Sequence, residues 1–281
     1  MATSSSLFIP GKVDTGSRID ATFSRLRIEK KKGLITYITG GDPSLTKTLE
    51  IALALENAGV DILELGIPFS DPGADGPTIQ AASQRALMAG ASVEKILEIV
   101  QALRRQSSLP VVLFTYLNPL YSYGFQKFLT DAASAGADGL LILDLPPQEA
   151  AFHEDLNMKS ALQAIQLVTP TTSEARIASI VEAAQGFIYY VSYEGVTGTQ
   201  TKFSENLSIQ IQRIRHQTSL PIAVGFGIST PEQVKAATAY ADAAVVGSAL
   251  VACIAKHSSS SDLLQRVESL VRPLAEAARG A

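Results

Sequence analysis

The stretch LELGIPFSDPGADGPTIQ, residues 63–80, begins as an apolar run and ends in a loop braced by Pro68, Pro72 and Pro77. In a strand, alternate side chains share a face. Ile62, Glu64 and Gly66 therefore lie on one side, and Leu63, Leu65 and Ile67 on the other. The all-aliphatic side suits packing against helices. Glu64 is left pointing into the interior of a closed sheet, near the carboxyl end of its strand, where barrel active sites lie. A carboxylate buried there costs roughly several kcal/mol unless it is partnered or neutralised. One reading is a glutamate paired with a distant Arg or Lys. The other is a group kept for its shifted pKa, with Asp75 as a second carboxylate eleven residues on.

Outward from this segment, short apolar runs alternate with helical patterns from about residue 33 to the end. The expected strands are 34–39, 61–67, 110–116, 139–145, 163–168, 187–192, 221–226 and 242–246. Each is nearly continuous in apolar character, as strands covered on both faces are. Residues 44–59 and 92–104 carry apolar stripes at helical spacing, with Ser44 and Ser92 as caps. The junction Ala58-Gly59-Val60-Asp61 recurs as Ala135-Gly136-Ala137-Asp138 and, more loosely, as Tyr240-Ala241-Asp242. Each joins a helix end to a strand start, where Gly is usual. Leu263 to Leu274 predict a last amphipathic helix that Pro273 kinks or ends. The fold class expected is α/β, a single (β/α)8 TIM barrel over residues 18–281, preceded by a loose tail at 1–17.

Composition narrows the function. Hydrophobic residues make up 46% and charged residues 18% of the 281, enough for a sizeable core. The net charge of −4 and the lack of a long basic run argue against nucleic acid and anionic membrane. The single Cys253 excludes an intrachain disulfide and a multi-cysteine metal site, which suits a cytoplasmic location. No apolar run is long enough to cross a bilayer. The Ser- and Thr-containing first residues do not read as a secretory signal. A loose tail is the expectation, with a short organelle-targeting remnant as the other reading.

Asp75 precedes a glycine, as turn aspartates often do, so a purely structural role competes with chemistry there. Asp71 is a weaker candidate in the Ser70-Asp71-Pro72 turn. Asp144 ends a strand and is suited to orienting a loop or substrate. GFGIS (225–229) leads into Thr230-Pro231, a good helix start, and Gly247-Ser248 follows the last strand. Amides at such turns make an anion site, and the last two strands of barrels often hold phosphate. GVTGTQTKF (195–203) reads as a loop, a lid over the site or an ordinary connection. Tyr189 is expected on the interior face, for packing or for binding. His153, His216 and His257 show no metal-ligand spacing.

Together ITGGDP (38–43), LELGIPFSDPGADGPTIQ, GVTG (195–198), GFGIS and GSA (247–249) resemble the tryptophan synthase alpha-subunit family, in its order and spacing, over roughly residues 18–279. The resemblance implies a retro-aldol lyase that cleaves indole-3-glycerol phosphate to indole and glyceraldehyde 3-phosphate without metal or organic cofactor. It gives Glu64 the general acid/base role and Asp75 the indole N–H. Gly198, Gly227, Gly247 and Ser248 match phosphate-binding positions, and Tyr116, Tyr189 and Thr197 match pocket or loop positions. The implied partner is a beta subunit, in an alpha2beta2 complex. Gly73 departs from the family's usual leucine, and Tyr193-Glu194 from its usual residues before GVTG. These departures bear on partner coupling and loop closure. The rivals are a stand-alone lyase on the same barrel, a weakly catalytic barrel that mainly activates a beta subunit, and another phosphate-handling barrel enzyme. The last leaves the Glu64/Asp75 spacing without an account, and no lysine in the expected strands is placed to form a Schiff base.

Overall fold

The computed structural model describes residues 16–146, 149, 161–192, 200–225 and 227–280, with the backbone alone at 200–205. The chain runs α1 (Arg18–Ile28), β1 (Gly33–Thr39), α2 (Leu45–Asn57), β2 (Ile62–Gly66), α3 (Pro77–Met88), α4 (Val93–Arg104), β3 (Val111–Thr115), α5 (Leu117–Tyr123), α6 (Phe125–Ala135) and β4 (Gly139–Ile142). It continues through β5 (Gln163–Ala164), β6 (Gln166–Val168), α7 (Glu174–Ala183), β7 (Ile188–Val191), α8 (Gln200–Arg215) and β8 (Ile222–Gly225). It ends with α9 (Pro231–Thr238), β9 (Ala243–Val246), α10 (Ser248–Lys256) and α11 (Leu263–Arg279).

All strand pairings are parallel, in the order β5-β4-β3-β2-β1-β9-β8-β7-β6. The two ends of that order, β5 and β6, are joined covalently through the single residue Ile165. The sheet thus closes as a (β/α)8 TIM barrel whose fifth strand is broken in the middle. The sequence led us to expect one strand over 163–168. The break follows from divided pairing, since β5 bonds to β4 and β6 bonds to β7. Two other expectations are corrected. α8 begins at Gln200, so the polar connection before it is shorter than 195–203. α11 runs through Pro273 without ending, held by buried Val271, Leu274, Ala275 and Ala278. The tail at 1–15 lies outside the described residues.

The caps follow the sequence closely. The Ser44 and Ser92 side chains accept the N–H groups of Lys47 and Lys95. Thr230 and Gln233 form a reciprocal capping box, with Pro231 in the first turn of α9. Gly59 and Gly136 take positive φ values of 98° and 94°, which stop α2 and α6 and turn the chain into the next strand.

The aspartate that follows in each repeated junction closes the amino end of the barrel. Asp61, Asp138 and Asp242 each donate their own N–H to the carbonyl of Leu34, Val111 and Ile222 at the start of the neighbouring strand. Each carboxylate accepts the N–H of the same residue in return, at 3.0, 2.8 and 2.9 Å. An arginine completes each clasp: Arg25 on Asp61, Arg18 with Arg104 on Asp138, and Arg215 on Asp242. Arg18 and Arg25 belong to α1, whose Ile19, Phe23 and Leu26 plug the barrel from below. Those side chains meet an interior layer of Ile35, Ile62, Val112, Leu141, Ile165, Phe187, Ala223 and Ala243. A separate, larger core lies between the outer strand faces and the helices.

Asp138→Ala leaves the Val111 N–H without its acceptor and removes the carboxylate that Arg18 and Arg104 pair with. It is expected to lower stability by about 2–4 kcal/mol, read as a shift in the denaturant midpoint at unchanged slope. A loss below about 0.5 kcal/mol would show that the clasp is not a stabilising element.

Candidate active site

The plug and the lower apolar layer decide the environment of the layer above. Glu64 points inward from β2 and is fully buried. Its in-register neighbours are Tyr37 on β1 and Val112 on β3. Neither carboxyl oxygen meets a hydrogen-bonding partner among the described residues, and no cation among them pairs with it. Burial alone pushes the Glu64 carboxyl up to about 8. The group is thus largely protonated at neutral pH and stands ready to give up a proton. Among the described residues no partner makes Glu64 the buried half of an ion pair.

Asp75 lies in the loop between β2 and α3, half-buried. Tyr116, which follows β3, holds that loop. Its hydroxyl donates to Asp75 Oδ2 at 3.1 Å and accepts the Ala74 N–H at 3.0 Å. The Tyr116 ring also lies 5.4 Å from that of Phe69 in the same loop. Burial raises the Asp75 pKa, and the Tyr116 bond opposes the rise. The simple turn reading of Asp75-Gly76 is therefore incomplete, because the carboxylate is held by a barrel residue 41 positions away. Gly73, in the same loop, is exposed, and a Cβ there would meet nothing within 4 Å. No contact requires glycine at that position.

Tyr189 rises from β7 on the interior face as expected, and its phenol is raised by burial and by the charge of Glu64. Its hydroxyl lies over Gly225 on β8, where a Cβ would come within 2.2 Å. Tyr37 repeats this arrangement with Gly66 on β2, again at 2.2 Å. Tyr37 is a residue the sequence reading missed. The parity argument that turned Glu64 inward applies equally to Tyr37 in LITYIT and was the available signal. Burial is the main cause that raises its phenol, followed by the charges of Asp75 and Glu64, so it feels both carboxylates.

Asp42 was quoted in ITGGDP without a role. It is buried and takes a two-pronged bond from Arg85, with Nε on Oδ1 and Nη2 on Oδ2, both at 2.8 Å. This fixes α3, and with it the end of the Asp75 loop, to the turn after β1. The two residues stand 43 apart, a pairing no local pattern announces. Asp144 is exposed and its Oδ1 accepts the Leu117 N–H at 2.7 Å, so it orients the start of α5.

At the carboxyl end of β9, separated from β2 by β1, Gly247 precedes α10 and Ser248 is its first residue. Gly227 follows β8 with a φ of 73°. Both turns stand at the carboxyl ends of their strands, on the same rim as the Asp75 loop. Thr197, Gly198, Tyr193 and Glu194 lie outside the described residues, as does His153. A cavity of about 530 Å³ opens in the sector of β4 and β6. Leu143 and Leu167 form its inner wall, and Asp144, Thr169, Thr172 and Arg176 lie towards its rim. Glu64 is not in its lining. Among the described residues no group of His, Cys, Asp and Glu is placed to hold a metal ion. None of their helices is long and apolar enough to cross a membrane.

Residues 23–279 match the family profile described as tryptophan synthase alpha chain. The chain belongs to the tryptophan synthase alpha-chain family. It is 49% identical to the tryptophan synthase alpha chain of Geotalea daltonii over 234 residues, 83% of this chain and 89% of that one. It is 46% identical to that of Pelobacter propionicus, covering 94% and 98% of the two chains. Among solved structures, tryptophan synthase subunit alpha from Legionella pneumophila superposes with a TM-score of 0.86 at 39% identity, over 93% of this chain and 98% of that one. Tryptophan synthase from M. tuberculosis in an aminoacrylate-bound form gives 0.83 at 34% identity, over 94% and 100%. The general role of this family member is that of a lyase in tryptophan biosynthesis.

The raised carboxyl has a signed consequence for stability. Glu64 keeps its proton in the folded chain up to about 8 and loses it near 4.5 when exposed. Its contribution is full below the lower value and declines as pH rises through the window, at up to about 1.4 kcal/mol per pH unit. Between pH 5 and 8 the unfolding free energy of Glu64→Gln is expected to fall less steeply than the parent's by up to that amount. Parallel slopes in urea titrations would show that Glu64 is ionised in the folded state.

Proposed function

We propose that the chain cleaves indole-3-glycerol phosphate to indole and glyceraldehyde 3-phosphate by a retro-aldol step, with Glu64 as the acid/base group. The observation that carries this reading is a fully buried carboxyl without a partner among the described residues, pushed up to about 8. The indole carbon leaves poorly as a carbanion, so C3 must first take a proton. The Glu64 O–H supplies it, and the ring becomes an indolenine cation. The resulting carboxylate then accepts the proton of the glycerol hydroxyl as the carbon–carbon bond breaks. The electron pair of that bond returns to the ring, which leaves as neutral indole, and the carbinol carbon becomes an aldehyde. Atoms balance with no oxidant, reductant or cofactor.

The other groups take supporting roles. Asp75, held by Tyr116, sits beside the ring N–H and favours the cationic intermediate. Gly247 and Ser248 at the start of α10, Gly227, and Gly198, which precedes α8 in the sequence, receive the phosphate, where the amides and helix dipole of α10 favour an anion. Tyr189 and Thr197 complete the pocket. Anchoring the phosphate at the rim after β8 and β9 places the glycerol chain along the barrel mouth towards Glu64. The supporting partner is a beta subunit in an alpha2beta2 complex, and the compartment is the cytoplasm, with residues 18–281 as the catalytic domain and 1–17 as a tail.

Indole release by the purified chain, with and without an added beta subunit, tests the reading. Glu64→Gln is expected to lose at least about a thousandfold in kcat with KM little changed, as for loss of a group acting in the transition state. Asp75→Asn is expected to lose about a hundredfold. Cleavage by Glu64→Gln at the parent rate would overturn the assignment. Strong activation by beta favours the subunit role, and a fast isolated chain favours the stand-alone lyase.

A further inference from the structure

We propose that the Tyr37 hydroxyl is the donor that meets the Glu64 carboxylate whenever Glu64 gives up its proton, which makes Tyr37 a positioning residue for the acid/base group. The inference rests on the role of Glu64 given above. Its starting point is a mismatch of donors and acceptors. Two buried carboxyl oxygens have no partner among the described residues. That arrangement is tolerable for a neutral acid and costly for an anion. Turnover requires the anion, so a donor must come within reach when it forms.

The titratable groups whose fields mark them as neighbours of this site are few. Among the described residues they are Tyr37 on β1, Tyr189 on β7, Asp75 in the loop before α3 and Tyr116 after β3, and none of these is a cation. Tyr116 is committed to Asp75. Two phenols remain. Tyr37 is the in-register neighbour of Glu64 on the adjacent strand, whereas Tyr189 rises from β7, which pairs with β6 and β8. The Tyr37 hydroxyl also lies along the strand that carries Glu64. It rests against Gly66, two residues further on the same face, where a Cβ would come within 2.2 Å. Residues two apart on a strand are separated by about 7 Å, a distance a glutamate side chain and a phenol span between them.

The hydroxyl has capacity to spare. Its partner among the described residues is Thr39 Oγ1 at 3.3 Å, a long contact in which either oxygen donates. Rotation about the C–O bond turns the proton away from Thr39 without moving the ring, and rotation of the Glu64 side chain brings the carboxylate to it. The ring itself is fixed. It stands edge-on to Phe114 with centroids 5.1 Å apart, and it packs against Ile79 and Ala82 of α3 and Val251 of α10. As Glu64 passes its proton to carbon, the Tyr37 O–H turns to the new anion. When Glu64 recovers a proton from the hydroxyl of the substrate, the O–H turns back to Thr39. The tyrosine keeps its own proton throughout.

The experiment is a direct carboxyl titration of Glu64, read by carbon-13 NMR of glutamate-labelled full-length chain in the absence of substrate. Stabilisation of the ionised form lowers the titration midpoint, so Tyr37→Phe is expected to titrate about one pH unit higher than the parent. Gly66→Ala, whose Cβ displaces the hydroxyl, is expected to reproduce the rise, and Tyr189→Phe to leave the midpoint in place. In the cleavage assay Tyr37→Phe is expected to lower kcat about tenfold with KM within twofold. An unchanged midpoint in Tyr37→Phe, or a rise confined to Tyr189→Phe, overturns the proposal. If Glu64→Gln still cleaves while the midpoint moves in Tyr37→Phe, the contact stands and the catalytic reading of Glu64 falls, so the two failures are distinct.

Discussion

The site depends on one constraint: a carboxyl group is fully buried with no balancing cation among the described residues. The constraint is produced from below. α1 closes the amino end of the barrel with Ile19, Phe23 and Leu26, and the lower interior layer is aliphatic apart from Phe187. Without that plug, water would reach the base of Glu64 and the proton would leave at an ordinary carboxylate value. The three aspartate–arginine clasps therefore shape the candidate site at a distance. They hold α1 and the strand starts in register, and register is what points Glu64 inward, because a one-residue slip would turn it towards the helices.

Most of the fold was legible because its determinants are local. Continuous apolar runs between helical stripes gave the strands, Ser44, Ser92 and Thr230 gave the helix starts, and Gly59 and Gly136 gave the stops. The repeated junction with its terminal aspartate was visible as a pattern but not as a device. Its meaning lies in the bond from each aspartate to a strand residue 20 to 27 positions earlier. The misreadings have the same origin. The break at Ile165 is set by which neighbour each half of the strand meets. The persistence of α11 through Pro273 is set by the apolar face buried on both sides of the proline. Tertiary contact overrode local preference in each case.

The active site was legible in part, and the part follows the same division. Glu64 could be found from parity and chemistry alone, since an acid in an apolar strand is conspicuous. Asp75 could not be separated from an ordinary turn aspartate until Tyr116 was seen to hold it. Asp42 and Arg85 are each unremarkable in sequence and become a single unit only in space. Tyr37 was within reach of the parity argument, but an aromatic residue in an apolar strand reads first as packing. The resemblance to a family supplied the expected role of Asp75, and the residues themselves supplied Glu64 and the anion site at the rim glycines.

The pairing of Tyr37 with Gly66 and of Tyr189 with Gly225 gives those glycines a reason that turn chemistry does not. Each leaves its strand bare at the point where a neighbouring phenol crosses it. Two hydroxyls are thereby carried into the upper layer of the barrel on rigid rings, rather than on flexible polar side chains. Few rotatable bonds are frozen when such a ring is ordered, and the dipole at its end needs little reorganisation when charge appears nearby. A Cβ at either glycine would displace the hydroxyl that lies over it, so the two bare strand positions fix where those dipoles sit around Glu64.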